Sequence, residues 1–267
     1  MHAAERARCT SRWSGSERCP IANALPDEKA IAPTRCIIAT NAIPEQPMPP
    51  KMIPYALPPR DSDWQARRAA ELIAEMNGRR SCRDFSPKPV PRELLEQAIA
   101  IAHSAPSGAN RKPWRFVAID DPAVRREIRI AAETEEKESY DHRMPAEWLE
   151  ALETIGTTWE KPFLEIAPYL VIIFRIDWEE SGDRRLRNYY PIESTGIASG
   201  FFIMACHQLG LATLTHTPSP MNFLRQICRR PECEKPFLLI PVGYPAENCQ
   251  VPDLVKKPVQ EALQWNR

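Results

Sequence analysis

Glycine is scarce in this chain, at 9 of 267 residues against 28 prolines. Tight glycine turns are therefore few, while rigid loops and proline-started helices have ample material. No CxxC pair occurs among the eight cysteines, Cys9, Cys19, Cys36, Cys82, Cys206, Cys228, Cys233 and Cys249, and no histidine stands at ligand spacing from a cysteine pair. A zinc ribbon and a dithiol redox motif are thereby excluded, and no metal is expected. Cys228 and Cys233, five apart, are the one spacing that zinc or a disulfide could use. Charge of one sign is also missing: Lys plus Arg equals Asp plus Glu at 35 each. No global field draws the chain to nucleic acid or to an acidic membrane. Long apolar runs are absent too. The longest, "IESTGIASGFFIMACHQLGL" (192–211), is interrupted by Glu193, His207 and Gln208, and reads as a core helix rather than a membrane span. No GxGxxG, Walker, nucleophile-elbow or HExxH pattern occurs.

What remains is the composition of one sizeable globular core, with 43% apolar and 26% charged residues. The opening "MHAAERARCTSRWSGSERCP" has no apolar h-region, and Glu5, Glu17, Asp27 and Glu28 argue against a transit peptide. Residues 1–52 are expected to be a disordered extension or a misassigned start, with the domain at 53–267. Reduced thiols, a cytoplasmic location and no membrane anchor are the matching expectations.

From Asp61 the pattern firms. Ala69, Leu72, Ile73 and Met76 recur at helical spacing before a Gly78 stop, and Pro91 opens a helix with Leu94, Leu95, Ala98, Ile99 and Ala102 on one stripe. "WRFVAID" reads as a strand, and Asp121-Pro122 caps a helix with Val124, Ile128 and Ala131 inward. "YLVIIFRI" (169–176) has the continuous apolar character of a fully buried strand, and "DWEESGDRRLRN" reads as a charged loop. A core helix at 192–209, a strand "LATLT" (211–215), a helix near 220–229 and a strand "FLLIPVGYP" (237–245) complete an α+β domain, a central sheet wrapped by helices.

Four stretches carry chemistry. "RRSCRDF" groups Arg79, Arg80, Ser81, Cys82 and Arg83 after the helix stop; planar guanidinium forks beside a hydroxyl suit a phosphate, or form a solvated basic loop. "SAPSGANRKPW" sets Ser107, Gly108 and Ala109 between helix and strand, where small residues let a flat ring approach the backbone. "THTPSP" puts Thr215, His216 and Thr217 outside a strand's carboxyl end, with His216 either a base or a structural hydrogen-bonding residue. "ETEEKESYDHRM" (133–144) is a charge run in which Glu136 and Tyr140, four apart, share one helix face. Its other charges, Glu133, Glu135, Lys137 and Asp141, read as a solvated face.

In their joint order, "RRSxR", "APSGAxxxPW", "TxTP" and "LPVGYP…VPDLxxKP" resemble the nitroreductase-like FMN flavoprotein superfamily, most closely its deiodinase branch, from about residue 53 to about 258. The resemblance implies a mixed sheet wrapped by helices in an intertwined homodimer, with FMN bound where the subunits meet. By position, Arg79, Arg80, Ser81, Cys82, Arg83 and Lys256 would hold FMN; Lys256 stands where the family usually has Arg, keeping the charge without the fork. Ser107 would reach the flavin of the partner subunit. Thr215, His216 and Thr217 match the flavin-contacting tripeptide, with Thr217 near N5 as the catalytic hydroxyl.

The deiodinase branch further implies a lid, at about 133–163, whose Glu136, Tyr140 and Lys161 grip an amino acid zwitterion while Ala109 offers a backbone contact to a phenolate. The implied activity is reductive dehalogenation of halotyrosines, with electrons ultimately from NAD(P)H, directly or through a reductase partner. A general nitro- or quinone-reductase acting on another aromatic substrate is the alternative enzyme, and a flavin-sequestering protein the alternative outside catalysis.

Overall fold

The computed structural model describes residues 50–266; the expectations for residues 1–49 lie outside them. Helix α1 (Ser62–Gly78) starts where the Asp61 side chain accepts from the Trp64 N–H at 2.7 Å. Helix α2 (Arg92–His103) buries Leu95, Ala98 and Ala102, three members of its expected stripe. Strand β1 (Trp114–Ile119) leads to α3 (Pro122–Glu138), capped by Asp121 with proline in the first turn. In α3 the buried pair is Ile128 and Ala132, so the core meets the i+4 neighbour of Ile128 rather than Ala131.

A single π-turn (Ser139–Arg143) ends α3, followed by α4 (Ala146–Glu153) and the short α5 (Phe163–Ile166). Strand β2 (Tyr169–Ile176) is buried at seven of eight positions. The expected charged loop is instead a hairpin, β3 (Trp178–Ser181) with β4 (Arg184–Arg187), turned at Gly182 in the left-handed region (φ +58°). Helix α6 (Pro191–Gln208) follows. Strand β5 is only Ala212–Thr213, shorter than expected, although His216 farther along pairs with Leu239 in the same antiparallel register. Helix α7 (Asn222–Ile227) and strand β6 (Glu234–Gly243) complete the domain.

The sheet runs β1-β2-β6-β5 with antiparallel pairing between its strands, and a parallel bridge between Ser81 and Thr213 gives it its mixed character. β2 lies centrally, which explains its unbroken apolar run: both faces are covered. On one face Ile172, Phe174 and Leu239 pack with Ile128, Leu164 and Leu224; on the other Val171, Ile173 and Ile240 pack with Leu95, Ala102 and Phe202. Alternating residues of one strand thus feed two cores.

The helix expected from the spacing of Ala69, Leu72, Ile73 and Met76 is present as α1, but its apolar stripe is not covered within the chain: no residue of the helix is buried, and Ile73 is 62% exposed. Ile197 and Met204 of α6 are likewise exposed. Periodicity reports that a face is apolar, not what covers it. Among the described residues no helix is long and apolar enough to cross a membrane, no disulfide joins Cys228 to Cys233, and no cluster of His, Cys, Asp or Glu could hold a metal.

Candidate active site

After Gly78 the backbone leaves the helix at Arg79 (φ −67°, ψ 127°) and runs extended to the sheet edge. There Ser81 bridges Thr213 and the Cys82 N–H donates to the Thr213 carbonyl at 3.0 Å. This hook fixes Arg79, Arg80, Ser81 and Arg83 around a cavity of about 210 Å³ closed by Ile155, Pro252, Leu254 and Lys256. No carboxylate lines it, and none of the three guanidiniums pairs with one among the described residues. Arg80 donates instead to the Pro252 carbonyl, and the Lys256 ammonium to the Asn77 carbonyl at 3.2 Å. Burial pushes the Arg83 pKa down, which marks a desolvated cation without a compensating charge. Cys82 departs from this set. Its thiol lies in the core, donating to the Asp84 carbonyl at 3.2 Å and standing 3.6 Å from the Cys249 sulfur, with its pKa pushed up to about 12 by burial.

Arg83 also borders a second cavity, of about 320 Å³, under α4. Glu136 enters from the last turn of α3, Tyr140 from the π-turn, and Lys161 from the segment after α4. Thr215, His216 and Thr217 enter from the end of β5. Met144, Trp148, Leu152 and Phe163 give it an apolar wall. Six residues placed apart in the sequence thus share one space with the cradle's Arg83.

The charged groups there satisfy one another. The Lys161 ammonium stands 3.4 Å from the Glu136 carboxylate and donates to the Thr157 hydroxyl at 3.4 Å and to the Thr158 carbonyl. The Tyr140 hydroxyl donates to the Thr157 carbonyl at 3.2 Å, and its ring lies 5.7 Å from the Lys161 ammonium. Burial raises the pKa of Glu136 against the pull of Lys161, and lowers that of Lys161 against the pull of Glu136. In both residues desolvation outweighs the ion pair, so each charge is held at a cost.

His216 is 7% exposed, with its Nδ1 4.0 Å from Glu136, its ring edge-on to Phe163, and its Nε2 buried without a hydrogen-bond partner. Burial first, then Lys161 and Arg83, push its pKa down to about 3. Burial thus holds the imidazole neutral, and among the described residues its ring makes no side-chain hydrogen bond of the kind the structural reading expected.

Glu133 is where the charge run was misread. Its carboxylate accepts from the Lys161 backbone N–H at 2.7 Å and is braced by Arg129 at 3.4 Å, with only 16% of its side chain exposed. It pins the far end of the α4 segment to α3. Only the fold could reveal this, since residues 133 and 161 are joined across a turn whose path the sequence does not specify.

Ser107 and Ala109 do not border either cavity within the chain. They sit on the loop between α2 and β1, where the Ser107 hydroxyl accepts from the Lys112 N–H at 2.8 Å and Ala109 is left-handed (φ 48°, ψ 28°). Gly108 is closely fitted there: a Cβ would lie 3.0 Å from the Tyr189 carbonyl oxygen, so a larger residue would push the two backbones apart.

A wrapped α+β sheet with a cationic cradle opening onto an apolar, charge-ended cavity defines a class. Residues 76–244 match the nitroreductase family, and the chain belongs to it. Its particular relatives are narrower in kind. It is 52% identical over 209 residues to an iodotyrosine deiodinase of Haliscomenobacter hydrossis, covering 78% of this chain and 94% of that one. It is 39% identical over 202 residues to an iodotyrosine deiodinase of Nematostella vectensis, covering 74% and 75%. Among solved structures, it matches a crystal structure of oxidized iodotyrosine deiodinase bound to FMN and 3-iodo-L-tyrosine with a TM-score of 0.63 and 28% identity, over 73% of this chain and 99% of that one.

Proposed function

We propose that this chain is an FMN-dependent oxidoreductase that reductively dehalogenates halotyrosines, working as a homodimer in which the partner's Ser107–Ala109 loop completes each cavity. One observation carries the reading: Glu136, Tyr140 and Lys161 converge with Thr215–Thr217 on a single cavity that has an apolar wall. A carboxylate, an ammonium and a phenol are the groups that complement the α-ammonium and α-carboxylate of a free amino acid. A general aromatic reductase has no need of such a zwitterion clamp. The identity to relatives of that name, and the likeness to one holding FMN and 3-iodo-L-tyrosine, support the same reading.

FMN fits this chain's own donor set. Three guanidiniums and Lys256 around a cavity without carboxylates call for a polyanion such as a phosphate monoester. Arg79, Arg80, Ser81, Arg83 and Lys256 would hold the phosphate end; Thr215, His216 and Thr217 would meet the ring, with the Thr217 hydroxyl as hydrogen-bond partner of N5. When bound, FMN supplies the two electrons that, with one proton, replace carbon–halogen by carbon–hydrogen and release halide. NAD(P)H is the proposed ultimate electron source, directly or through a reductase partner.

The chain's residues do the rest. Glu136 takes the α-ammonium, while Lys161 and Tyr140 take the α-carboxylate. The Lys161–Glu136 pair therefore opens to admit the ligand and closes on both of its charges. Closure of α4 excludes water from the ring. The test is titration of the purified flavoprotein with 3-iodotyrosine, followed by flavin fluorescence. Quenching by iodotyrosine that tyrosine fails to reproduce is the expected result; equal quenching by both, or none, would reject the reading.

A further inference from the structure

Two thiols stand in contact beside the phosphate cradle. The Cys82 and Cys249 sulfurs lie 3.6 Å apart, and both cysteines are free. Backbone pairing holds their segments together: Phe85 bridges Pro245, the Ser86 N–H donates to the Tyr244 carbonyl at 2.9 Å, and the Ala246 N–H donates to the Asp84 carbonyl at 3.0 Å. The fold itself therefore sets the two thiols side by side. Cys82 is buried, whereas Cys249 is only partly so and meets solvent.

Each thiol adjoins a different half of the cradle. Cys82 sits between Ser81 and Arg83, and Cys249 comes immediately before Gln250, Val251 and Pro252; these five neighbours line one cavity of about 410 Å³. Farther along, the same arm brings Leu254 and Lys256 to the cradle. The arm from 250 to 256 has no helix or strand of its own, and Leu254 and Val255 are exposed. Side chains tie it down through the Arg80 bond to the Pro252 carbonyl and the Lys256 bond to the Asn77 carbonyl. An irregular, exposed segment held so lightly is the part of the cradle that lifts at least cost.

We infer that Cys82 and Cys249 form a dithiol–disulfide site, which when oxidised locks the 250–256 arm over the Arg79–Arg83 segment and slows the exit of the anion held between them. Naming that anion FMN rests on the functional reading above. The oxidant is a small-molecule disulfide of the glutathione class. The Cys249 thiolate, which solvent reaches, attacks it, forms a mixed disulfide and expels one thiolate. Cys82 then attacks the Cys249 sulfur and expels the second. Two protein thiols are thus oxidised to one disulfide, and the oxidant is reduced to two thiols that carry away both protons. Burial leaves Cys82 poorly ionised, but its attack is intramolecular and starts from contact. Sulfurs bond at about 2.05 Å, so an approach of roughly 1.5 Å closes the site.

The test incubates the holoenzyme with glutathione disulfide, alkylates the remaining thiols and digests the protein without reductant. The expected product is a peptide joining Cys82 to Cys249, lost on treatment with dithiothreitol. Hydrogen exchange of the amides in 250–256 should then slow, and FMN should leave on dilution about tenfold more slowly than from the reduced protein. Cys249→Ser should form no crosslink and should lose FMN at the reduced protein's rate with or without the oxidant. Three results overturn the inference while leaving the functional reading intact: no joined peptide, glutathione retained on Cys249, or a crosslink that changes neither exchange nor FMN release. A protein that forms the crosslink and protects the arm, yet takes up no FMN, would sustain the lock and reject the flavin reading.

Discussion

Acidification should reach His216 early. Its folded pKa of about 3 lies below the usual 6.5, so between those values the unfolded chain binds a proton that the folded chain refuses. Stability from this residue is complete above pH 6.5 and is lost progressively as pH falls towards 3, by about 5 kcal/mol at most. Urea unfolding at stepped pH should show this loss, and His216→Gln should remove it. Glu136 titrates in the opposite direction, its carboxyl raised by burial. Because the α-ammonium needs the ionised form, iodotyrosine binding should weaken as pH falls through that raised value, at higher pH than an ordinary carboxylate would show. Glu136→Gln should weaken iodotyrosine binding about a hundredfold while the protein keeps its flavin; unchanged quenching in that variant would remove Glu136 from the clamp.

Between elements, the decisive joint is α3 to the segment after α4. Glu133 holds the Lys161 backbone, and Arg129 bridges Glu133 to Glu165 at the start of β2's approach. Glu133→Ala should leave the core intact but loosen α4. Proteolysis between residues 144 and 160 should quicken, and the iodotyrosine Kd should rise about tenfold, the worth of a hydrogen bond to a charged acceptor. That joint was invisible in the chain's pattern, for a reason that applies more widely. Helices α2 and α3 and strands β1 and β2 were legible because cap residues and apolar period are local signals. Glu136, Tyr140 and Lys161 were legible only through resemblance, since no local rule brings residue 161 to residue 136. The β3–β4 hairpin was missed because its strands are short and charged, and its turn carries a single glycine among polar residues. The α1 stripe was legible as a period, but its exposure within the chain depends on what covers it.

For the whole molecule, the proposed dimer makes one prediction no single chain can satisfy. If each cavity borrows the partner's Ser107–Ala109 loop, a chain with Glu136→Gln and a chain with Gly108→Val, each inactive alone, should complement when co-expressed. In a mixed dimer one site receives both substitutions and the other none, so random pairing restores activity in about a quarter of sites. No recovery in purified mixed dimers would mean the cavity is built from one chain. The exposed apolar faces of α1 and α6 supply the surface such a dimer would cover. The guanidiniums of Arg79, Arg80 and Arg83 have a different consequence. Cations crowded without carboxylates repel one another, so the empty fold carries a built-in electrostatic load that an anion relieves. Any ligand taken only by the folded state raises its melting temperature by mass action, and here inorganic phosphate alone should do so for the flavin-free protein, less than FMN and with an effect that salt weakens. The cradle would then make the protein's persistence depend on its cofactor: a chain made faster than flavin reaches it would be the first to unfold.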